Sequence, residues 1–383
     1  MSTFTVPVVR ISAIEPIVDA DAIELAVIGD YRSVIRKGQY QRDDLVAYIP
    51  EQAILPHDLI KEIGLEGKLA GSNHDRVKAV KLRGQLSQGI LYPIDYDTPS
   101  ASHTMKCKDG CYTFVKEGDD VADDLGIVKW NPPIPTHLSG EVYNAGRELT
   151  VNYDIENFKK YPDVLVEGED VAMTEKLHGS FCGVGVLPRT HHDDMHYKNE
   201  FVVFSKGLGA DGLCFKYVEL NQDNAYIRAL EATGTFDKLR DLRDSMEEDG
   251  GFDQPLFLLG EVYGPGIQTN FNYGDKQVFR MFDVVAGFRG DQHYFSFDAK
   301  VFLAKHIGVE MVPVLYRGPF SREIMYQHTD GMETVSGKQL HIREGVVVTP
   351  TDERYDLLIG RVILKSVSAA YLTRKDKNAT EYQ

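Results

Sequence analysis

Four cysteines in 383 residues are too few for a disulfide framework, so a reducing cytosol is the expected compartment. Long apolar runs are missing too. Nothing approaches the ~20 residues needed to cross a bilayer, and no membrane contact is expected. The opening Met1-Ser2-Thr3-Phe4-Thr5-Val6-Pro7 has neither a basic flank nor an apolar core, so no secretory signal is expected. Several motifs are absent: the Gly-x-x-x-x-Gly-Lys-Ser/Thr loop, the Rossmann glycine fingerprint, His-Glu-x-x-His and Gly-x-Ser-x-Gly. Their absence disfavours the common NTPase, dehydrogenase, metalloprotease and hydrolase chemistries. Basic residues are in deficit: 42 Lys and Arg against 58 Asp and Glu leave a net charge of −16. That argues against a non-specific nucleic-acid binder, although a local basic face can coexist with an acidic remainder. Clusters such as Glu117-Gly118-Asp119-Asp120 and Glu247-Glu248-Asp249 read as solvated loops or helix ends.

What is present is a hydrophobic content of 43%, ordinary for a soluble protein, on a chain long enough for two domains. Val6–Ile14 reads as a strand, followed by short apolar stretches at 25–28, 33–35 and 45–49 separated by Gly and Asp turns. That spacing predicts a small antiparallel barrel or sandwich, with a short helix at 57–62. Arg76-Val77-Lys78-Ala79-Val80-Lys81-Leu82-Arg83 sets four cations among apolar residues. On pattern alone a solvated strand face is the simpler reading. The functional reading is a phosphate-tracking face of an oligonucleotide-binding (OB) barrel, carried by Lys78, Lys81 and Arg83. Cys107-Lys108-Asp109-Gly110-Cys111 lacks a second ligand pair, so no structural zinc is expected. Trp130-Asn131-Pro132-Pro133-Ile134-Pro135 reads as an extended connector that Trp130 anchors. The expected organisation is a nucleic-acid-binding domain at 1–130, a linker at 131–148 and a second domain at 149–383.

In the second domain, Leu149–Tyr153 reads as a short strand and Ile155–Tyr161 as a turn or short helix. Further strands are expected at 171–186, 201–207 (ending in a Ser-Lys-Gly turn), 255–264, 277–285, 343–348 and 360–367. Helices are expected at 215–232, 237–248, 299–307 and 321–328. His191-His192-Asp193-Asp194-Met195-His196 reads as a polar hairpin tip rather than a metal site. The overall class expected is α+β: a β-barrel followed by antiparallel sheets flanked by helices.

Charges recur in or beside the apolar strands: Lys176, Glu261, Asp283, Glu344 and Lys365. One such charge is usually a structural ion pair, whereas this many suggest a shared cavity. Lysines facing a polyanion, with carboxylates to hold a divalent cation, are what a nucleoside triphosphate requires. As the free amine, a lysine is also a nucleophile able to attack phosphorus, provided desolvation or nearby cations lower its pKa. Gly179 would let the backbone turn close to the phosphate.

Glu175-Lys176-Leu177-His178-Gly179-Ser180 resembles motif I of the covalent nucleotidyltransferases, the ATP-dependent ligases and messenger-RNA capping enzymes. Ser205-Lys206-Gly207 is similar to motif Ia, and Gly260-Glu261-Val262-Tyr263-Gly264 to motif III. Phe282-Asp283 resembles motif IIIa, Glu344-Gly345-Val346-Val347-Val348 motif IV, and Leu364-Lys365-Ser366-Val367-Ser368 motif V. Together they cover residues 174–368 in the family's order. His178 in place of Asp is similar to the RNA-ligase-2-like branch. The basic stretch and the connector at the front resemble the RNA ligase 5 group, which carries an N-terminal OB-type domain. Only about 15 residues follow Ser368, too few for the C-terminal barrel of DNA ligases and capping enzymes.

The resemblance implies an ATP-dependent RNA ligase acting in three steps. Lys176 attacks ATP to give lysyl-AMP, AMP passes to an RNA 5′-phosphate, and a 3′-hydroxyl attacks the activated end. By motif match, Lys176, Glu261, Glu344 and Lys365 would be catalytic. Glu175, Leu177, Gly179, Lys206, Glu261, Phe282 and Lys365 would bind the nucleotide, with Glu175 on the adenine edge and Phe282 stacked on its face. Glu261, Asp283 and Glu344 would hold Mg²⁺ or Mn²⁺. The implied partner is RNA with 3′-hydroxyl and 5′-phosphate ends, as a nicked duplex met in RNA repair, bound by a monomer. Two positions depart from the pattern. Ile363 occupies the place of motif V's first lysine, so either Lys365 suffices or Arg361, two residues back on the same strand face, substitutes. Lys206 stands where many relatives have Arg, and it cannot grip phosphate bidentately. A capping-type guanylyltransferase is disfavoured by His178. A non-catalytic RNA-binding protein is disfavoured by the intact Lys176, Glu261, Glu344 and Lys365.

Overall fold

Strand Leu45–Ile49 is buried along its whole length, and its alternation serves two cores at once. Leu45, Ala47 and Ile49 join Val8, Leu55, Leu59 and Ile127, while Val46 and Tyr48 join Ile11, Ala26, Ile35 and Leu91. The computed structural model describes residues 4–97, 102–131, 138–188, 200–217, 221–248, 250–268, 271 and 273–374. The chain divides into two compact units, Ser2–Asn131 with Leu372–Arg374 and, beginning at Pro132, the stretch to Tyr371 with Lys375–Gln383.

In the first unit Leu45–Ile49 pairs antiparallel with Val8–Arg10 on one side and Ile90–Pro93 on the other. A second antiparallel sheet orders Ala13–Pro16, Ile23–Ile28 and Tyr31–Arg36, and a third Asp95–Asp97, Ser102–Lys106 and Tyr112–Val115. The expected strand over 6–14 is therefore two strands belonging to different sheets, while the helix His57–Glu62 forms where expected. The basic stretch is not one strand. It ends in a tight hairpin of Val80–Leu82 and Gln85–Ser87, whose two turn residues, Arg83 (φ 48°) and Gly84 (φ 80°), both adopt the left-handed backbone that such a turn needs. The arginine Arg76 lies over the Trp130 ring at 4.0 Å. The prolines of the connector and the histidine-rich tip at 191–196 lie outside the described residues.

Two five-stranded sheets build the second unit. One orders Glu156–Asn157, Leu364–Val367, Gly345–Pro350, Asp170–Lys176 and Val314–Pro319. The other orders Phe201–Ser205, Ser180–Val186, Leu256–Tyr263, Val278–Ala286 and His293–Tyr294. The stretch read as continuous from 171 to 186 thus leaves the first sheet at Lys176 and enters the second at Ser180. Gly179 makes the crossing sterically possible. A Cβ there would meet the Val262 carbonyl and lie 2.8 Å from Glu261 Cγ.

Some expected boundaries move for identifiable reasons. Leu149, Val151 and Tyr153 are buried, but so is Thr150 between them, and no ladder forms. Side chains replace a neighbouring strand there, Arg289 Nε (3.3 Å) and Gln292 Nε2 (3.1 Å) both donating to the Thr150 carbonyl. The helix expected from 215 begins only at Ala225, because Asn224 accepts hydrogen bonds from the Tyr226 and Ile227 amides and caps it. Within the stretch read as a linker, Val142–Asn144 forms a strand paired with Leu213–Phe215.

Candidate active site

Lys176 is the last residue of its strand, in register with Gly345 on the neighbour. Glu344, one residue before that partner, thereby meets the lysine, and Lys176 Nζ donates to its carboxylate. Glu344 is 3% exposed. Burial alone would raise its pKa, but the Lys176 charge and His178 outweigh that and hold it at about 2. His178 Nδ1 lies 3.7 Å from Glu344 Oε2 and 2.6 Å from the Tyr371 hydroxyl. The His178 amide donates to the Tyr273 hydroxyl at 2.7 Å. Two residues of motif I, Lys176 and His178, are thus held by protein partners.

A cavity opens between the two sheets beside this pair. Of the residues singled out by sequence, Glu175, Lys176, Leu177, Lys206, Glu261, Phe282 and Lys365 border it. Thr174, Val347 and Lys365 are register partners across three strands, which sets one row of its wall. Phe282 reaches it from the opposite sheet, at a bulge where Gly260 pairs with Met281 and Leu259 with Asp283. Tyr153 stacks on Phe282 with ring centroids 5.4 Å apart. Glu261 accepts a backbone hydrogen bond from Gly179, yet burial, reinforced by the nearby Glu344 charge, pushes its pKa up to about 8. The two carboxylates near Lys176 are thus pushed in opposite directions, Glu344 down and Glu261 up.

Three expectations change. Asp283 does not border the cavity. It is fully buried and accepts hydrogen bonds from Arg361 (2.5 and 3.2 Å), Lys300 (3.2 Å) and the Tyr153 hydroxyl (2.9 Å). Burial alone would raise its pKa, but the two cations outweigh that and hold it down, and its oxygens accept from these protein donors. Arg361 is the other half of that cluster, bound also to Glu353 and set over the Tyr294 ring at 3.8 Å. It is absent from the cavity wall that Ile363 and Lys365 form. Gly179 contributes close packing against Leu256–Tyr263 rather than cavity wall.

The structure adds residues that pattern reading passed over. Lys300 borders the cavity, projected by the buried Phe297, Lys300, Ala304 face of helix Phe297–Ile307. A lysine at that three-then-four spacing among apolar residues was the available signal. Asp154 holds Lys206 Nζ at 2.8 Å. Thr334, on a segment without strand or helix pattern, holds Glu175, and nothing in the sequence marked it.

In the first unit, Lys81 and Arg83 are exposed together on the hairpin, whereas Lys78 precedes it and is half-buried. Leu82 alternates with them at 43% exposure. Basic and apolar groups are thereby presented to solvent side by side. Among the described residues no helix is long and apolar enough to cross a membrane.

Residues 169–367 match the family model described as RNA ligase. The chain belongs to the RNA ligase family. An OB-fold domain model matches residues 5–94, in line with the antiparallel first unit. No curated protein gives a match. Among solved structures, a mutant Naegleria gruberi RNA ligase with ATP and manganese is similar at 24% identity, covering 96% of this chain and 97% of that one with a TM-score of 0.73. The same enzyme as a mutant with AMP and manganese is similar at 25% identity, with coverage of 96% and 97% and a TM-score of 0.73. With pyrophosphate it is similar at 25% identity, coverage of 97% and 98%, and a TM-score of 0.73. The architecture of this RNA ligase is thus an OB-fold unit followed by a helix-flanked unit of antiparallel sheets.

Proposed function

We propose that this RNA ligase joins RNA 3′-hydroxyl and 5′-phosphate ends through a lysyl-AMP on Lys176, with ATP as the nucleotide. The observation that carries the reading is the Lys176–Glu344 pair at the edge of a cavity lined by Lys206, Lys300 and Lys365. The neutral Lys176 amine forms the N–P bond to the α-phosphorus, the bond to the β-phosphate oxygen breaks, and pyrophosphate leaves. Lys206, Lys300 and Lys365 favour loss of the lysine's proton and neutralise the phosphates. Phe282, braced by Tyr153, gives the adenine a stacking face. The same cavity then hands AMP to the RNA 5′-phosphate, and the adjoining 3′-hydroxyl displaces it.

A divalent cation, Mg²⁺ or Mn²⁺, is part of this reading. Among the described residues no three His, Cys, Asp or Glu side chains form a ligand set. Glu261 and Glu344 alone fit an ion that keeps several waters and takes phosphate oxygens. When bound, it would supply positive charge for the triphosphate. The nucleotide and the ion named with the Naegleria gruberi enzyme support both assignments. We read the hairpin cations Lys81 and Arg83, with Lys78, as contacts to RNA phosphates. The substrate proposed is a nicked duplex met in RNA repair, sealed by a cytoplasmic monomer, with an OB-fold unit over 1–130 and the catalytic unit over 149–383.

The test is incubation with α-phosphate-labelled ATP and manganese, followed by denaturation. Label is expected on the wild-type polypeptide and not on Lys176→Ala. An unlabelled wild type, or a labelled Lys176→Ala, overturns the proposal.

A further inference from the structure

Glu175 is 2% exposed and borders the nucleotide cavity, and its two carboxylate oxygens are used differently. Oε2 accepts from the Thr334 amide at 3.0 Å and from the Thr334 hydroxyl at 2.5 Å. Oε1 is buried and accepts no hydrogen bond. A buried unpaired acceptor is costly unless a ligand completes it. An ionised carboxylate can only accept, so the group that completes Oε1 must be a donor.

Thr334 is held in place for this task. Glu333, fully buried, accepts from the Ser336 amide (2.9 Å), the Ser336 hydroxyl and the Leu340 amide (2.9 Å). Its own amide donates to the His341 carbonyl at 3.0 Å. The loop is thus closed on itself by one carboxylate. Val335, beside Thr334, packs with Leu177 and Val312, both on the cavity wall. The Glu175 amide donates to the Pro313 carbonyl at 2.8 Å, so the backbone below the carboxylate is fixed as well.

Resting on the reading that the cavity takes ATP, we infer that Thr334 is a positioning residue that sets nucleobase specificity, by pinning Glu175 so that Oε1 meets the 6-amino group of a purine and rejects a 6-oxo group. Adenine offers a donor at that position, whereas guanine and hypoxanthine offer an oxygen that would face the carboxylate acceptor to acceptor. The two Thr334 bonds do a second thing. Burial pushes the Glu175 carboxyl up, and Thr334, helped by the Arg343 charge and opposed by that of Glu333, holds it back. Without the hydroxyl the carboxyl is freer both to turn and to take a proton, and a protonated carboxyl can donate to a 6-oxo group.

The experiment compares α-labelled ATP with α-labelled inosine triphosphate, whose base carries a 6-oxo acceptor in place of the 6-amino donor and a proton on N1. Rates of covalent labelling are measured on the full chain with manganese. Wild type is expected to prefer ATP. Thr334→Val, which keeps the shape and the backbone amide, should lower the ATP-to-ITP ratio by about tenfold or more, the scale of one hydrogen bond to a charged acceptor. Thr334→Ser should restore the ratio. An unchanged ratio in Thr334→Val, or a ratio in Thr334→Ser as low as in the valine variant, overturns the assignment. A wild type labelled equally by both nucleotides overturns it while leaving lysyl-nucleotide formation standing. A wild type that takes no label removes both.

Discussion

Lys176 and Glu344 stand 168 positions apart in the chain and form an ion pair at the edge of the cavity. Register brings the two segments together: Lys176 is opposite Gly345, and Glu344, just before the start of that strand, reaches the lysine ammonium. Without a nucleotide the pair stabilises the ammonium. On the mechanism proposed above, Lys176 has to lose that proton before it attacks, which the other cations of the cavity favour.

Glu344→Gln keeps the shape and removes the charge. Lysyl-AMP formation is expected to fall by about 10²–10³-fold, the scale of losing one group that orients a reacting centre. Single-turnover labelling reads this directly, and a rate within threefold of wild type would remove Glu344 from the chemistry.

Glu261 makes a pH-dependent contribution to stability. Its folded pKa of about 8 lies above the ordinary glutamate value of about 4.5, so between those values the native state keeps a proton that the unfolded chain has released. Stability from this group is complete below about pH 4.5 and is lost as pH rises towards about 8. In chelator, Glu261→Gln should therefore gain Tm relative to wild type as pH climbs through that window. A difference that is constant from pH 5 to 9 would contradict it.

Asp283→Ala leaves Lys300 and one side of Arg361 buried without their counter-charge. A loss of about 3–5 kcal/mol is expected in urea unfolding. A normal unfolding midpoint combined with lost metal dependence of labelling would instead return Asp283 to the metal site.

Lys81→Ala with Arg83→Ala tests the hairpin. Sealing of a nicked duplex should weaken and its salt dependence should flatten by up to about two phosphate contacts. Lysyl-AMP formation should stay at the wild-type rate. Equal losses in both steps would mean that the hairpin supports the fold rather than the RNA.

Much of the catalytic unit could be read from local pattern. Leu256–Tyr263, Val278–Ala286 and Gly345–Pro350 announce themselves as apolar runs ended by glycine or acid, and the motifs sit at their ends. The helix Thr235–Glu248 shows its period. The alternation of 149–153 was visible as well, but whether alternation becomes a strand depends on a neighbour, and there Arg289 and Gln292 supply side chains instead.

The sequence by itself determined which chemistry-bearing residues this RNA ligase owns and in what order: Lys176, Lys206, Glu261, Phe282, Glu344 and Lys365. Only the tertiary structure decided which of them share the cavity. It placed Phe282 on the wall and its neighbour Asp283 inside a cluster with Arg361 and Lys300, a choice made by a bulge that no local pattern encodes. It also brought Thr334 onto Glu175 across 159 residues. Short-range periodicity records burial, whereas partnership between distant side chains is fixed by strand register and loop closure, which arise only when the whole chain has packed.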